Sequence, residues 1–456
     1  MIETRTNLST TTQPVHDSRE MPTWRLILLM LAASLGYFVV QLDVSIVNLS
    51  LPTIQTYYHA NVATLQWIVN AYTLSLSILL LSAGVLGDRY GSKRFLIIGY
   101  ALFFAGSLAC SVAPTISFIL AARLFQGIGA AFIVPNSLAV INWSFQKDNR
   151  RRLLLISIWM SFGGVALTCG PILGGLITSF ASWRYIFLIN LPVCLFGIML
   201  TTQWVKATPS RKSKRHDWLG QALILFSSTA LLLLITNYVD MSPHMHVALI
   251  IAAAIGLGLF VIVELKLVDP AIPLDIFRNL GFFRAITYGA IVNFLYFGIV
   301  FYSSLYFRYD LKMTAIQAGL AFIPITLPLI FSNILSAKIS RIHGPDRSIT
   351  IGFMFMITGM LCLAFQDLYG GYIQMLPAFI LVSFGVGLVT PMITVIALHS
   401  IGPERGGMIT AVVNFFRQIS GAFGVAVFGI FMASANKAIS YRDFSLTLVI
   451  LACILV

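Results

Sequence analysis

The sequence predicts an all-α integral membrane protein with fourteen transmembrane helices. They form two six-helix bundles with an additional helix pair placed centrally in the chain. Three observations predict this. Hydrophobic residues make up 58% of the 456 and charged residues only 10%, against about 25% charged in soluble domains. Apolar runs long enough to cross about 30 Å of hydrocarbon as helix recur along the chain. The longest polar linkers divide those runs into six, two and six.

In order, residues 1–24 read as a polar cytoplasmic tail with no short apolar core, so no cleavable signal is expected. The first bundle, 25–205, holds runs at 25–51, 64–86, 95–113, 115–142, 153–178 and 185–205. A linker at 206–217 leads to the inserted pair, 218–238 and 246–267, and a second linker spans 268–282. The last bundle, 283–456, holds runs at 283–307, 315–337, 349–366, 372–398, 407–434 and 444–456. The final run has thirteen residues and reads as cut short or as ending within the membrane. The pair's acids near the membrane, Asp240 and Glu264, sit at span ends where water is expected to reach them.

Charge sets the orientation. With the N-terminus inside, five of the 29 Lys and Arg (Arg184, Arg308, Lys312, Lys437, Arg442) lie outside and two (Arg123, Arg417) within spans, while the rest are cytoplasmic. This is the positive-inside pattern, and it places both termini in the cytoplasm of a multi-pass inner-membrane protein. It accounts for the net charge of +13 without a nucleic-acid partner, for which no soluble basic domain is available. The cysteines Cys110, Cys169, Cys194, Cys362 and Cys453 fall within apolar runs and read as packing thiols. No metal site, cofactor or catalytic cluster is indicated.

The halves echo each other. The turn "DRYGSKR" (88–94) matches "RIHGPDR" (341–347) at Gly91 and Gly344 and at Arg94 and Arg347. "GIGAAFIVP" (127–135) likewise matches "GVGLVTP" (385–391). Such weak symmetry is expected of transporters built from repeated bundles. In "GVLGDRYGSKR" (84–94), Gly84 is expected to admit a neighbouring helix and Gly91 to allow the reversal. Asp88 can pair with Arg89 or Arg94, or cap another helix.

That stretch resembles the signature of the major facilitator superfamily. "LAARLFQGIGAA" (120–131) is similar to its fourth-span motif, and "GPILGG" (170–175) to the fifth-span motif of its antiporters. "LDVSIVNLSLP" (42–52), "WRYIFLINLP" (183–192), "IPLDIFRNLGFF" (272–283) and "NFFRQISGAFGVAVFG" (414–429) resemble the fourteen-span drug:proton antiporters. Within that family it resembles the methylenomycin A resistance type. The resemblance implies the major facilitator fold and proton-coupled efflux of amphiphilic drugs, antibiotics or toxic compounds. It also implies protons as the coupling ion, with membrane lipid and a small amphiphilic substrate as partners. A monomer is expected, with accessory export proteins left open. The chain departs from the pattern at Arg341, which stands where Asp88 stands in the first half.

Buried charges carry the mechanism. Asp43 lies nineteen residues past Trp24, about 28 Å along a helix, inside an apolar run. A carboxylate there is costly, and desolvation disfavours its charged form. It could take a proton from one side and release it to the other, the role the resemblance implies, or make a structural hydrogen bond. Val47 and Ser50 share its face and Asn48 lies close by. Arg123 reads as its coupling partner or as a donor to backbone carbonyls, while for Arg417 a structural role is equally open. In "GPILGG", Gly170, Pro171, Gly174 and Gly175 are implied to govern which face of the cavity opens; a packing kink is the plain alternative. Asn48, Trp67, Asn70, Tyr72, Asn136, Asn293 and Phe415 are candidates for the substrate pocket. The rival function is a proton-linked or passive uptake carrier for a small metabolite. No Walker sequence points to ATP as the energy source.

Overall fold

The computed structural model describes residues 22–146, 148–208, 217–238, 241–267, 270–364, 371–401 and 406–433. Among them are thirteen candidate membrane spans and no strand. The spans coincide with the first thirteen predicted runs; the fourteenth, 444–456, lies outside the described residues. The first half contains α1 (Thr23–Tyr58), α2 (Val62–Tyr90), α3 (Ser92–Ser111), α4 (Ile116–Ser144) and α5 (Asn149–Phe180). Its sixth span is the broken pair α6 (Tyr185–Leu188) and α7 (Asn190–Trp204). Then come α8 (Trp218–Thr236), α9 (Pro243–Lys266) and a short 3₁₀ turn at Leu274–Arg278. The second half has α10 (Leu280–Tyr309), α11 (Ala315–Ala321), α12 (Ile323–His343), α13 (Pro345–Ala364), α14 (Gly371–Ile401) and α15 (Gly406–Ala433).

Caps set the helix starts. Asn61 accepts from the Thr64 amide at 2.9 Å, Asp148 from Arg151 at 3.0 Å and Asp217 from Gly220 at 2.7 Å. Each satisfies one of the amides that a helix leaves unpaired at its start. Thr314 and Gln317 form a reciprocal capping box on α11. The matched turn glycines have matching backbones: Gly91 has φ +99° and Gly344 φ +86°, a region that disfavours a side chain. These turns lie at one membrane end, the turn face, opposite the far face.

In the first half α3 packs on α4, α1 on α5 and α2 on α4; in the second, α10 packs on α15 and α13 on α14. The α3–α4 and α13–α14 contacts are built alike. A Cβ on Gly99 would lie 3.0 Å from the Gly129 carbonyl oxygen, and one on Gly352 2.9 Å from that of Gly385. Backbones this close exclude any larger residue. The halves meet where α2 packs on α15, α5 on α11 and α1 on α10.

Of the inserted pair, α8 touches α2 and α15, while α9 packs against α8. Only 17% of the most apolar stretch of α9 is buried within the protein, as befits a helix whose other faces meet lipid. The structure corrects the expected exposure of Glu264. It is 3% exposed, and the Ile272 amide donates to its two oxygens at 3.3 and 3.4 Å, because the chain after α9 folds back over it. Asp240 lies outside the described residues. Gln221 of α8 donates to Ser82 of α2 at 2.5 Å. Cysteines replacing Ser82 and Gln221 should therefore crosslink efficiently, while Ile255→Cys on α9 should not crosslink to Ser45→Cys on α1. Efficient crosslinking of the second pair would put α9 at the centre of the molecule instead.

Candidate functional site

Asp43 on α1 is wholly buried and forms an ion pair with Arg123 on α4, itself 1% exposed. Arg123 Nη1 donates to Asp43 Oδ2, and Gln126 Nε2 and Asn190 Nδ2 donate to Oδ1 at 2.9 and 3.0 Å. Donors thus reach both oxygens of the acid. Around this core Arg123 Nη1 also donates to Gln126 Oε1 at 2.7 Å, and its Nε to the Ile68 carbonyl at 3.1 Å. The Ser107 hydroxyl accepts from Gln126 at 2.8 Å and from Asn190 at 3.3 Å. The Tyr72 ring lies 4.2 Å below the guanidinium carbon, in the range of a cation–π contact. Five helices, α1, α2, α3, α4 and α7, therefore converge on one carboxylate.

Asn190 reaches it because the sixth span breaks before it. Pro192 has no amide to give an earlier carbonyl and is at home in a helix's first turn, so α7 starts at Asn190. Sequence reading found Asp43 and Arg123 but missed Gln126, Ser107 and Asn190. The available signal was spacing for Gln126, three residues after Arg123 on one helix face, and isolated polarity for the other two.

The expected surroundings of Asp43 need correction. Asn48 is five residues on, about 140° around the helix, and lines a different space. That space is a small cavity between the halves, lined by Val44 and Asn48 of α1, Pro171 of α5, Tyr296 of α10, Phe322 at the junction of α11 and α12, and Thr326 of α12. Asn48 Nδ2 donates to the Val44 carbonyl at 2.8 Å and its Oδ1 has no partner. The acid and the cavity thus lie on different faces of one helix.

The other pocket candidates divide. Tyr72 belongs to the Arg123 cage, and its hydroxyl is directed to the Val40 carbonyl at 3.5 Å. Asn136 ties α4 to α2 by donating to the Ala83 carbonyl at 3.1 Å. Both are structural ties inside the first half. Asn293 donates to Gly289 within its own helix at 2.9 Å. Phe415 is buried in the second-half core and Trp67 packs against that core. Asn70 is fully buried with neither side-chain atom paired.

"GPILGG" sits at a junction. A Cβ on Gly170 would collide with the Ser45 hydroxyl of α1, and one on Gly174 would lie 3.1 Å from the Ile46 carbonyl. Gly175 instead faces α11, where an added Cβ would be 2.5 Å from the Ala315 carbonyl oxygen; a Cβ on Gly319 would be 2.6 Å from that of Pro171. The motif therefore lets α5 pack closely on α1 and, across the interface, on α11. In the 84–94 turn the structure corrects the part given to Gly84. Its nearest neighbour would be Pro135 Cβ at 3.9 Å, so a methyl fits; Gly87 is the glycine without room, facing Asn136. Asp88, Arg89 and Arg94 are exposed, and Arg89 lies over the Tyr90 ring at 5.2 Å.

The family model described as Major Facilitator Superfamily matches residues 33–425. The chain belongs to the major facilitator superfamily. It is similar to the methylenomycin A resistance protein of Streptomyces coelicolor, at 31% identity over 89% of this chain and 85% of that protein. It is also 31% identical to the multidrug resistance protein Stp of Mycobacterium tuberculosis, over 90% of this chain and 76% of that one. Among solved structures, a POT family transporter in complex with 5-aminolevulinic acid superposes with a TM-score of 0.70 at 12% identity, covering 97% of this chain and 96% of that one. The fold is thus the major facilitator fold, and the protein is a multi-pass membrane transporter of a small molecule rather than an enzyme.

The buried pair makes a stability prediction. Removing one partner of a desolvated ion pair costs about 3–5 kcal/mol, because the other charge stays buried and uncompensated. Arg123→Met and Asp43→Leu should each markedly lower the melting temperature of the purified protein, whereas the double variant should lose much less than the two combined. Additive losses in a thermal-shift cycle would mean the charges are not coupled.

Proposed function

We propose that this transporter exports amphiphilic drugs, antibiotics or toxic compounds across the cytoplasmic membrane in exchange for protons, working as a monomer without a cofactor. The export reading is supported by the relatives, which are named for methylenomycin A resistance and multidrug resistance. The coupling reading rests on one observation: a carboxylate paired with a guanidinium deep in an apolar bundle. Intramembrane ionisable groups mark proton and substrate pathways far more often than they serve packing.

In this reading the turn face is cytoplasmic. Protonation of Asp43 cancels one charge of the pair and leaves Arg123 with the Gln126 oxygen and the Ile68 carbonyl as acceptors. That change acts on α1, whose other face lines the cavity between the halves. Hydrogen bonds in the far half, from Gln66 to the Val425 and Ala426 carbonyls and from Tyr309 to Gln55, fit a state closed on the outside. Gly170, Pro171, Gly174 and Gly175 then form the surface on which α5 shifts against α1 and α11. Gly91 and the charged residues Asp88, Arg89 and Arg94 serve the cytoplasmic closure.

Asp43→Asn keeps the size of the side chain but cannot carry a proton. It should insert normally, yet accumulate no more N-phenyl-1-naphthylamine in energised everted vesicles than vesicles lacking the protein. Wild-type accumulation by the Asn variant would remove Asp43 as the proton carrier. Accumulation that is absent even in wild type, across a panel of amphiphiles, would count against export itself.

A further inference from the structure

The two arginines within spans are treated differently. Arg123 has Asp43. Arg417, on α15, has no acidic partner among the described residues, and its Nε is buried without any hydrogen bond. An arginine kept within a membrane span faces the protein interior, a cavity or a partner, and its fork of donors suits a carboxylate or similar anion.

Its position points to a ligand. The Arg417 stem runs along α10, where a Cβ on Gly289 would lie 3.1 Å from its Cγ. α10 packs across the interface on α1, the helix of the other half that carries Tyr37. Gly289 precedes the cavity residue Tyr296 by seven residues, and Tyr37 precedes Val44 by seven. Each is two turns, about 10 Å, from the cavity on the same helix face. Both side chains are partly accessible. The Tyr37 ring is clamped: it stacks on Trp159 with centroids 4.0 Å apart and leaves no room for a side chain at Gly163. No described residue pairs with its hydroxyl. The cavity two turns away is walled mainly by apolar and aromatic groups such as Phe297 and Phe322.

We propose that Arg417 and the Tyr37 hydroxyl form a subsite for the anionic end of an amphiphilic substrate, whose apolar body occupies the cavity beyond. Resting on the proposed export, the subsite gives amphiphilic anions a preference over neutral compounds with the same body. It is tested by binding, without transport.

The probes are 1-anilinonaphthalene-8-sulfonate and N-phenyl-1-naphthylamine, which share a body and differ in the sulfonate. Binding is measured by equilibrium dialysis against full-length protein in nanodiscs, with empty discs subtracted. Losing hydrogen bonds to a charged group should weaken binding by at least about tenfold. Arg417→Met should show that loss for the sulfonate and less than a twofold change for the neutral probe. Tyr37→Phe, which removes only a hydroxyl and preserves the stack, should weaken the sulfonate alone by a smaller factor. It also provides the decision if the Met variant does not fold. Equal losses for both probes, or no loss for either, would overturn the subsite. Export of the neutral probe by wild-type vesicles is scored separately, so loss of the subsite and loss of the export reading are distinguishable outcomes.

Discussion

A charged side chain in hydrocarbon must find its partner within the protein, since no water is there to replace it. In this chain the demand falls most heavily on Asp43 and Arg123, both essentially without exposure. Their pairing is sufficient only because other donors and acceptors complete it: Gln126, Asn190, Ser107 and the Ile68 carbonyl. Those groups come from separate helices, so the first half can assemble in few ways that leave no charge stranded. Glycine contacts such as Gly99 against Gly129 then fix how closely the helices approach. The polar cluster sets which helix faces meet, and the small residues set the distance.

The second half repeats the small-residue contacts but not the charge cluster. The offset that matches Gly127 to Gly385 carries Arg123 onto Leu381. Two bundles that fold alike thus divide their chemistry, with the internal ion pair in one and an arginine without an acid in the other. The asymmetry separates two tasks that a symmetrical molecule would mix. In the proposed reading the charge satisfied inside a bundle responds to protons, while the arginine without an acid serves the substrate between the halves.

Much of this was legible in the sequence, for a physical reason. Hydropathy and charge are local properties, so thirteen spans, the turn glycines and the two intramembrane arginines could be read one residue at a time. That Asp43 and Arg123 meet depends on how α1 and α4 are rotated about their axes, which no local pattern records. Gln126, Ser107 and Asn190 carry no charge and hardly perturb an apolar run, so only weak signals, spacing and isolated polarity, marked them. Gly84 and Gly87 look alike in sequence; only the placement of Asn136 decides that Gly87 is the crowded one. Tyr72 and Asn136 were drawn towards the substrate pocket by their polarity, whereas their polarity serves helix contacts. Glu264 was misjudged because depth along α9 says nothing of the segment that folds back over it.

The arrangement also limits how the two sites can communicate. Asp43 and the cavity residues Val44 and Asn48 belong to the same helix but to different faces. A direct contact between a cavity ligand and the acid is therefore not the simplest link. A regular helix transmits displacement along its backbone, and α1 is held on its cavity side by α5, through Ser45 against Gly170 and Ile46 against Gly174. Any shift of α1 that loosens the ion pair must slide along that glycine-lined seat. The same α5 segment presents Gly175 and the Pro171 carbonyl to α11 in the other half. One short stretch of backbone thus joins the helix that bears the ion pair to the interface between the halves, and at Gly170 and Gly175 that close packing leaves no room for a side chain.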